Sequence, residues 1–260
     1  MLSLKKFYSI ILCFLSSFVL FSLIACSSLI NDKTVANVQQ LNGYIILTQD
    51  FIDINPQRGT NIEIKYPQIS NFYDEKREKV INELIKNSSI YSFYNYGSTK
   101  DSTVFIDYEV MLATEHIISV KFEGYSYFMG GKNNNRWVYA VNINLNNGEK
   151  IILEELFSNS LYSNHNNIFT YKYDWQKDEE GTIAYEIAMS SNATIAELFI
   201  EYEKYYSFPY HHDDFYITES KLGLIVKSSP AMGDYLEFLA SFEKLRDLIN
   251  CENAIWENLM

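Results

Sequence analysis

Two hydrophobic periods run along this 260-residue chain, and the alternating one dominates. Tyr44-Ile45-Ile46-Leu47 reads as a strand, and so does Ile62-Glu63-Ile64-Lys65-Tyr66, which should end at Pro67. Ile106, Tyr108, Val110 and Leu112 alternate with polar residues, as do Ile118, Val120 and Phe122. Only Ala113 to Glu115 separate these two runs, so they are expected to pair as an antiparallel hairpin. Trp137-Tyr139-Val141-Ile143-Leu145 alternates again and runs into Asn146-Asn147-Gly148, followed by Ile151 and Leu153. Asn147-Gly148 is a strong hairpin signal and predicts a turn with both residues at positive φ. Phe215-Tyr216-Ile217, Leu222 to Val226 and Tyr235 to Leu239 are three further strand candidates.

The helical period is confined to three places. Over residues 71–86, Tyr73, Arg77, Val80, Ile81, Leu84 and Ile85 share one face, with Asn71 as cap and Asp74 and Glu75 in the first turn. Residues 192–206 place Ile195, Leu198, Phe199 and Tyr202 together, and Phe242, Leu245, Leu248 and Ile249 suggest a short closing helix. Hairpins with a few helices between them predict an α+β fold built on an antiparallel sheet.

The N-terminus follows neither pattern. Lys5 and Lys6 precede an uncharged run from Phe7 to Ala25, and Leu23-Ile24-Ala25-Cys26 closes it. A basic head, an apolar stretch and a small residue before the cut are the parts of an export signal. The site resembles a lipobox, in which the Cys26 thiol takes a diacylglyceryl group before cleavage. The same run is long enough for a membrane-spanning helix. The polar Ser27-Ser28 and Asn31-Asp32-Lys33 directly after the cysteine favour the cleaved, lipidated form. The expected organisation is a signal over 1–25, a polar tether over 26–42, domain parts over 43–115 and 116–250, and a tail over 251–260. This places the chain on the exported side of a cell or outer membrane, held by lipid on Cys26.

Composition narrows the partners. The net charge is −12, and loss of the two signal lysines makes it more negative. Such a surface repels phosphate backbones, so nucleic acid is not expected as a partner. Of three cysteines, Cys13 leaves with the signal and Cys26 is acylated, so Cys251 has no intrachain thiol to pair with. Stability must then come from the core. The 21 tyrosines and 17 phenylalanines suit strand packing first, and tyrosines also line sugar-binding surfaces.

Candidate chemistry is sparse. His211-His212-Asp213-Asp214 is the one dense run of ligand-type residues, but neighbours on a strand point to opposite faces and cannot enclose one ion alone. His116 and His165 lie apart from it and form no spaced pair. Glu154-Glu155 reads as a helix start or loop after the hairpin rather than an acid–base pair. No Gly-x-Ser-x-Gly elbow and no phosphate loop is present, and no cofactor or metal is implied. The turn-rich run Gly130-Gly131-Lys132-Asn133-Asn134-Asn135 is a connection between strands and a natural place for recognition.

The motifs resemble an extracytoplasmic family with paired domains of unknown function, DUF4163 and DUF3298. It is found in a lysozyme-sensing anti-sigma factor and beside some peptidoglycan deacetylases. Ile64-Lys65-Tyr66-Pro67-Gln68-Ile69 and the following helix resemble the first part. Ile117-Ile118-Ser119-Val120, Tyr127 to Gly131, Asn144 to Lys150, Leu153 to Phe157, Phe215 to Thr218, Gly223-Leu224, Met232 to Tyr235 and Phe242 to Leu245 resemble the second. The family's Gly-Gly-Ala-His loop has Lys132 at the matching histidine position, and no cytoplasmic segment or deacetylase domain is expected on this chain. The resemblance implies a candidate binding loop of Tyr127, Gly130, Gly131, Lys132 and Asn133, with Gly233 and Asp234. The expected function is a non-catalytic, lipid-anchored binding or sensing domain engaging wall polysaccharide or an exported protein such as a lysozyme. A structural surface lipoprotein without a specific ligand and an envelope polysaccharide hydrolase are the alternatives.

Overall fold

The computed structural model describes residues 39–41, 43–94, 100–129, 134–157, 170–171, 215–227 and 234–259, and Gln39–Met260 form one compact unit. The fold is α+β. A seven-stranded sheet runs in chain order from β1 (Gln39–Leu41) and β2 (Tyr44–Asn55) through β3 (Thr60–Ser70), β4 (Ser102–Ala113), β5 (Ile117–Phe128) and β6 (Asn135–Asn144) to β7 (Glu149–Lys150). The helix α1 (Glu75–Tyr94) connects β3 to β4, and α2 (Leu153–Leu156) follows β7. A smaller sheet has the order β8-β11-β10-β9, from β8 (Thr170–Tyr171), β9 (Phe215–Ile217), β10 (Lys221–Lys227) and β11 (Tyr235–Ser241). The short helix α3 (Phe242–Leu245) and two 3-10 turns, Arg246–Leu248 and Ala254–Asn258, complete it.

Most neighbours in the large sheet are antiparallel, as expected, but β3 and β4 are parallel over Asn61–Ile64 and Thr103–Ile106. A parallel pair needs a crossover, and α1 supplies it. The pairing with β4 stops at Ile64, so β3 can continue through Pro67, opposite Thr48 of β2, to Ser70 rather than ending at the proline. Pro67 has no N–H to offer, and it lies where that edge of β3 has no strand beside it. Further along the same strand, Asn82 of α1 takes over. Its Oδ1 accepts from the Ile69 N–H and its Nδ2 donates to the Ile69 carbonyl, both at 2.8 Å.

The first helix is displaced from its expected span. Asn71 is not the cap; it has φ 62, and Asp74 Oδ1 accepts from the N–H groups of Lys76 and Arg77 instead. Ile81, Ile85 and Ser89, spaced four apart, are buried against the sheet, whereas Tyr73 and Val80 are exposed. The β6–β7 turn also differs. It occupies four residues, 145–148, with Gly148 at φ 75 and its N–H bonded to the Asn144 carbonyl, while Asn147 keeps an ordinary negative φ.

The hairpin between β4 and β5 forms as expected, with a bulge between Val110 and Leu112. Glu154 and Glu155 are exposed in α2, a helix start after the hairpin. Two corrections concern the ends. Gln39–Leu41, within the expected tether, pair with β2 as a strand. Residues 251–259 are not a free tail: Ile255 and Trp256 are buried, and the Trp256 indole donates to the Leu156 carbonyl at 2.8 Å. The expected helix over 192–206, His165 and the His211–Asp214 run lie outside the described residues.

Three apolar clusters follow from strand alternation. Ile62, Ile64, Val104, Ile106, Ile118, Val120, Phe122, Tyr139, Val141 and Ile143 line one face of the large sheet with Ile81 and Ile85 of α1. Val138, Ala140, Tyr216, Ile225 and Tyr235 lie between the two sheets. Leu222, Leu224, Leu236 and Phe238, on the far face of the small sheet, pack with Phe157, Phe242 and Trp256. The rings of Phe157 and Phe242 meet Trp256 edge-on at 5.6 and 5.5 Å. Trp256→Ala is therefore expected to lower the unfolding free energy by about 3–5 kcal/mol. Urea denaturation measures it, and a loss near zero would show that these residues lie off the core.

Candidate functional site

Strands β5 and β6 are covered on both faces along most of their length. Their odd-numbered apolar face on β6 and even-numbered face on β5 meet α1, and the opposite positions meet the small sheet. At the β5–β6 end near the β4 hairpin, the register pair Ser119 and Asn142 reaches the edge of β9. Ser119 Oγ accepts from the Ile217 N–H at 2.9 Å, and Asn142 Nδ2 donates to the Phe215 carbonyl at 2.6 Å. These bonds occupy groups that an edge strand would otherwise present to solvent.

Further along the same face lies a buried ion cluster. Lys121 Nζ is 3.3 Å from Glu237 Oε2 and 3.3 Å from Glu123 Oε2. The Arg136 guanidinium binds Glu123 at 2.8 Å and approaches Glu237 at 3.6 Å. The Tyr216 hydroxyl donates to Glu237 Oε2 at 3.0 Å, and its ring lies 5.7 Å from the Lys121 ammonium. Gly223 makes room for that ring: a Cβ there would stand 2.2 Å from Tyr216 Cζ. Two cations thus face two carboxylates, which is the balance burial requires.

The protonation of this cluster is set by competing effects. Burial pulls the Lys121 ammonium down, but Glu237 and Glu123 outweigh it and leave its pKa above the usual lysine value. Burial raises the Glu123 carboxyl, yet Arg136 and Lys121 hold it below the usual carboxylate range. Burial first, and then Glu237, push the Tyr216 phenol far above its usual value. Lysine, arginine, phenol and the Glu123 carboxylate are accordingly in the states that their hydrogen bonds need near neutral pH.

Beyond this cluster several large side chains on the same face of the large sheet are exposed. Register places Asp50, Ile52 and Ile54 of β2, Asn61, Glu63 and Lys65 of β3, Thr103, Phe105 and Asp107 of β4, and Tyr125 and Tyr127 of β5 on it. Phe105 and Tyr125 face each other across the strands and are 50% and 52% exposed, and Tyr127 is 47% exposed. Ile52 and Ile54 are each 60% exposed on the same surface. Lys65 and Asp107 form an exposed ion pair at 3.8 Å. Large side chains at this exposure on rigid strands form an apolar surface with an acidic surround.

Of the expected site residues, two can be placed. Tyr127 belongs to the open face, and Asp234, at φ 68 before β11, accepts from the Arg136 N–H at 2.7 Å. Arg136 is the register partner of Tyr125, so the structure brings Tyr127, Tyr125, Arg136 and Asp234 to one end of the sheet. Gly130, Gly131, Lys132, Asn133, Gly233 and Cys26 lie outside the described residues. His116 pairs locally, its Nδ1 3.2 Å from Asn146 Oδ1 and its Nε2 3.1 Å from Glu115. Sequence reasoning missed Phe105, Tyr125 and the ion cluster. The available signals were aromatic residues at the polar parity of β4 and β5, and Glu237 inside the apolar run Tyr235 to Leu239.

No family model matches the sequence, and no curated protein matches it. Solved structures do. A DUF3298 family member from Bacteroides fragilis is similar over 87% of this chain and 99% of its own, at 12% identity and a TM-score of 0.48. A DUF3298 family protein from Pseudomonas aeruginosa is similar over 82% of this chain and 96% of its own, at 9% identity and a TM-score of 0.44.

The ion cluster generates two expected outcomes. Lys121→Ala leaves Glu237 buried beside a weaker set of partners and should destabilise by about 3 kcal/mol, whereas Lys121→Met with Glu237→Leu should recover most of that loss. Equal losses in both variants would contradict the assignment. Glu123 has a lowered folded pKa, so its contribution is present above the unfolded value of 4.5 and is lost as pH falls through the folded one. Lys121 and Tyr216 have raised folded pKa values, so theirs are present below the unfolded 10.5 and 10.0 and fade at higher pH. Urea midpoints should be flat between these limits and fall on either side.

Proposed function

We propose that this chain is a non-catalytic binding module, held on the exported side of a bacterial membrane by lipid on Cys26. Its binding surface is the open face around Phe105, Tyr125 and Tyr127, which engages a wall component or an exported protein. The single observation that carries this reading is the group of half-exposed aromatic rings on rigid strands, edged by carboxylates. Rings fixed on a sheet supply contact area at little entropic cost, and buried aromatic anchors dominate binding energies. The ion cluster beside them, with Asp234 on the Arg136 backbone, keeps the end of β6 in place next to Tyr125.

The lipid anchor rests on the basic head, the uncharged run and Cys26. Two acyl chains anchor stably because each buried methylene contributes about 0.8 kcal/mol. Acidic charge favours neutral or basic partners and speeds encounter with them.

The test is a pull-down with the chain from Ser27 onward, offered purified wall polymer and exported proteins at low and moderate salt. Saturable capture that is lost in the Phe105→Ala, Tyr125→Ala double variant is the expected result. Capture of equal strength by the double variant would move binding off this face, and no capture by either form would sink the reading.

A further inference from the structure

Resting on the reading of the open sheet face as the binding surface, we propose that its ligand is a cationic glycan, a chain of β-linked amino sugars carrying free amines. The geometry of the rings comes first. Phe105 and Tyr125 are register partners, so their Cβ atoms lie about 5 Å apart. Tyr127 lies two residues further along the same strand, about 7 Å away. Ile52 and Ile54 extend the apolar area on the other side of β3. A ligand of one ring does not reach across this spread. An extended ligand made of flat repeating units does, because a β-linked sugar in its chair form presents an axial C–H face to each ring it covers.

Charge then selects among such ligands. Among the described residues, exposed Asp50, Glu63, Asp107 and Glu109 share the face with one exposed cation, Lys65, which already pairs with Asp107. Lys121 and Arg136 are neutralised by Glu123 and Glu237. The surface therefore repels polyuronates, phosphodiester polymers and a second copy of itself, with the chain's net charge of −12 adding to the effect. Free amines are attracted both by the carboxylates and by the faces of the aromatic rings, and sugar hydroxyls donate to the same carboxylate oxygens. A basic peptide would share the charge but not the flat C–H surface that a row of rings on a sheet face suits.

The experiment is calorimetric titration of the full chain in mild detergent with four probes: glucosamine hexamer, N-acetylglucosamine hexamer, hexalysine and oligogalacturonate. Glucosamine hexamer is expected to saturate, binding about tenfold more tightly than the acetylated hexamer. Phe105→Ala and Tyr125→Ala should each weaken it by about fivefold. Glu63→Gln, which keeps the side chain's size, should also weaken it, and Tyr73→Ala, in the turn before α1, should leave it unchanged. Equal binding of the acetylated hexamer would overturn the cationic assignment. Hexalysine binding as tightly, and without loss in Tyr125→Ala, would overturn the glycan assignment in favour of charge alone. If glucosamine hexamer fails to bind while wall polymer or an exported protein is still captured through Tyr125, the ligand class is wrong and the binding-face reading stands. If those captures fail as well, both fall.

Discussion

The structure depends on one constraint: β5 and β6 must bury both of their faces, and the two faces are buried in different ways. Ile118, Val120 and Phe122 with Tyr139, Val141 and Ile143 join α1 in an apolar core. On the reverse, Ser119, Lys121, Asn142 and Val138 meet β9 to β11 through side-chain bonds to the strand edge, ion pairs and a few apolar contacts. A one-residue slip of β5 against β6 would exchange these faces, putting Lys121 in the helix-facing core and Phe122 against Glu237. The polar face thus makes the register costly to change as well as holding the small sheet in place.

The same constraint explains where the open surface begins. The small sheet covers β5 as far as Glu123, and Arg136 and Asp234 mark its rim. From Tyr125 onward the strand continues without that cover, and aromatic residues at the covered parity become exposed. A rigid, half-covered sheet is a suitable platform for recognition, because the covered half fixes the strands that carry the contact residues. On this view the ion cluster positions the neighbouring surface, and the rings make the contact.

Much of the strand pattern was legible in the sequence, because alternation on the α1 side is strict from Ile118 to Phe122 and from Trp137 to Leu145. The reverse face was not. Lys121 and Glu123 look like solvent positions until Glu237, 116 residues away from Lys121, is placed against them. Val138 and Ala140, apolar on the parity that should face water, were the local sign that β6 is covered twice. The parallel β3–β4 pair was hidden because periodicity reports which face a strand buries and says nothing about its neighbour's direction. The helix starts later than the pattern predicts because Tyr73 resembles a core position, although it lies outside α1 and is 75% exposed. Tyr127 and Asp234 came from the family resemblance, while Phe105 and Tyr125 required the register to reveal them as a pair.

With both faces of β5 and β6 buried, the two sheets should unfold as one cooperative unit. Native-state hydrogen exchange in increasing urea tests it most directly, by reading the opening free energy of each strand separately. Amides of Val120 to Phe122, Val138 to Val141, Leu224 to Val226 and Leu236 to Phe238 are expected to converge on one global opening free energy. Exchange of the β10 and β11 amides through a much cheaper opening, with β5 and β6 still protected, would contradict it.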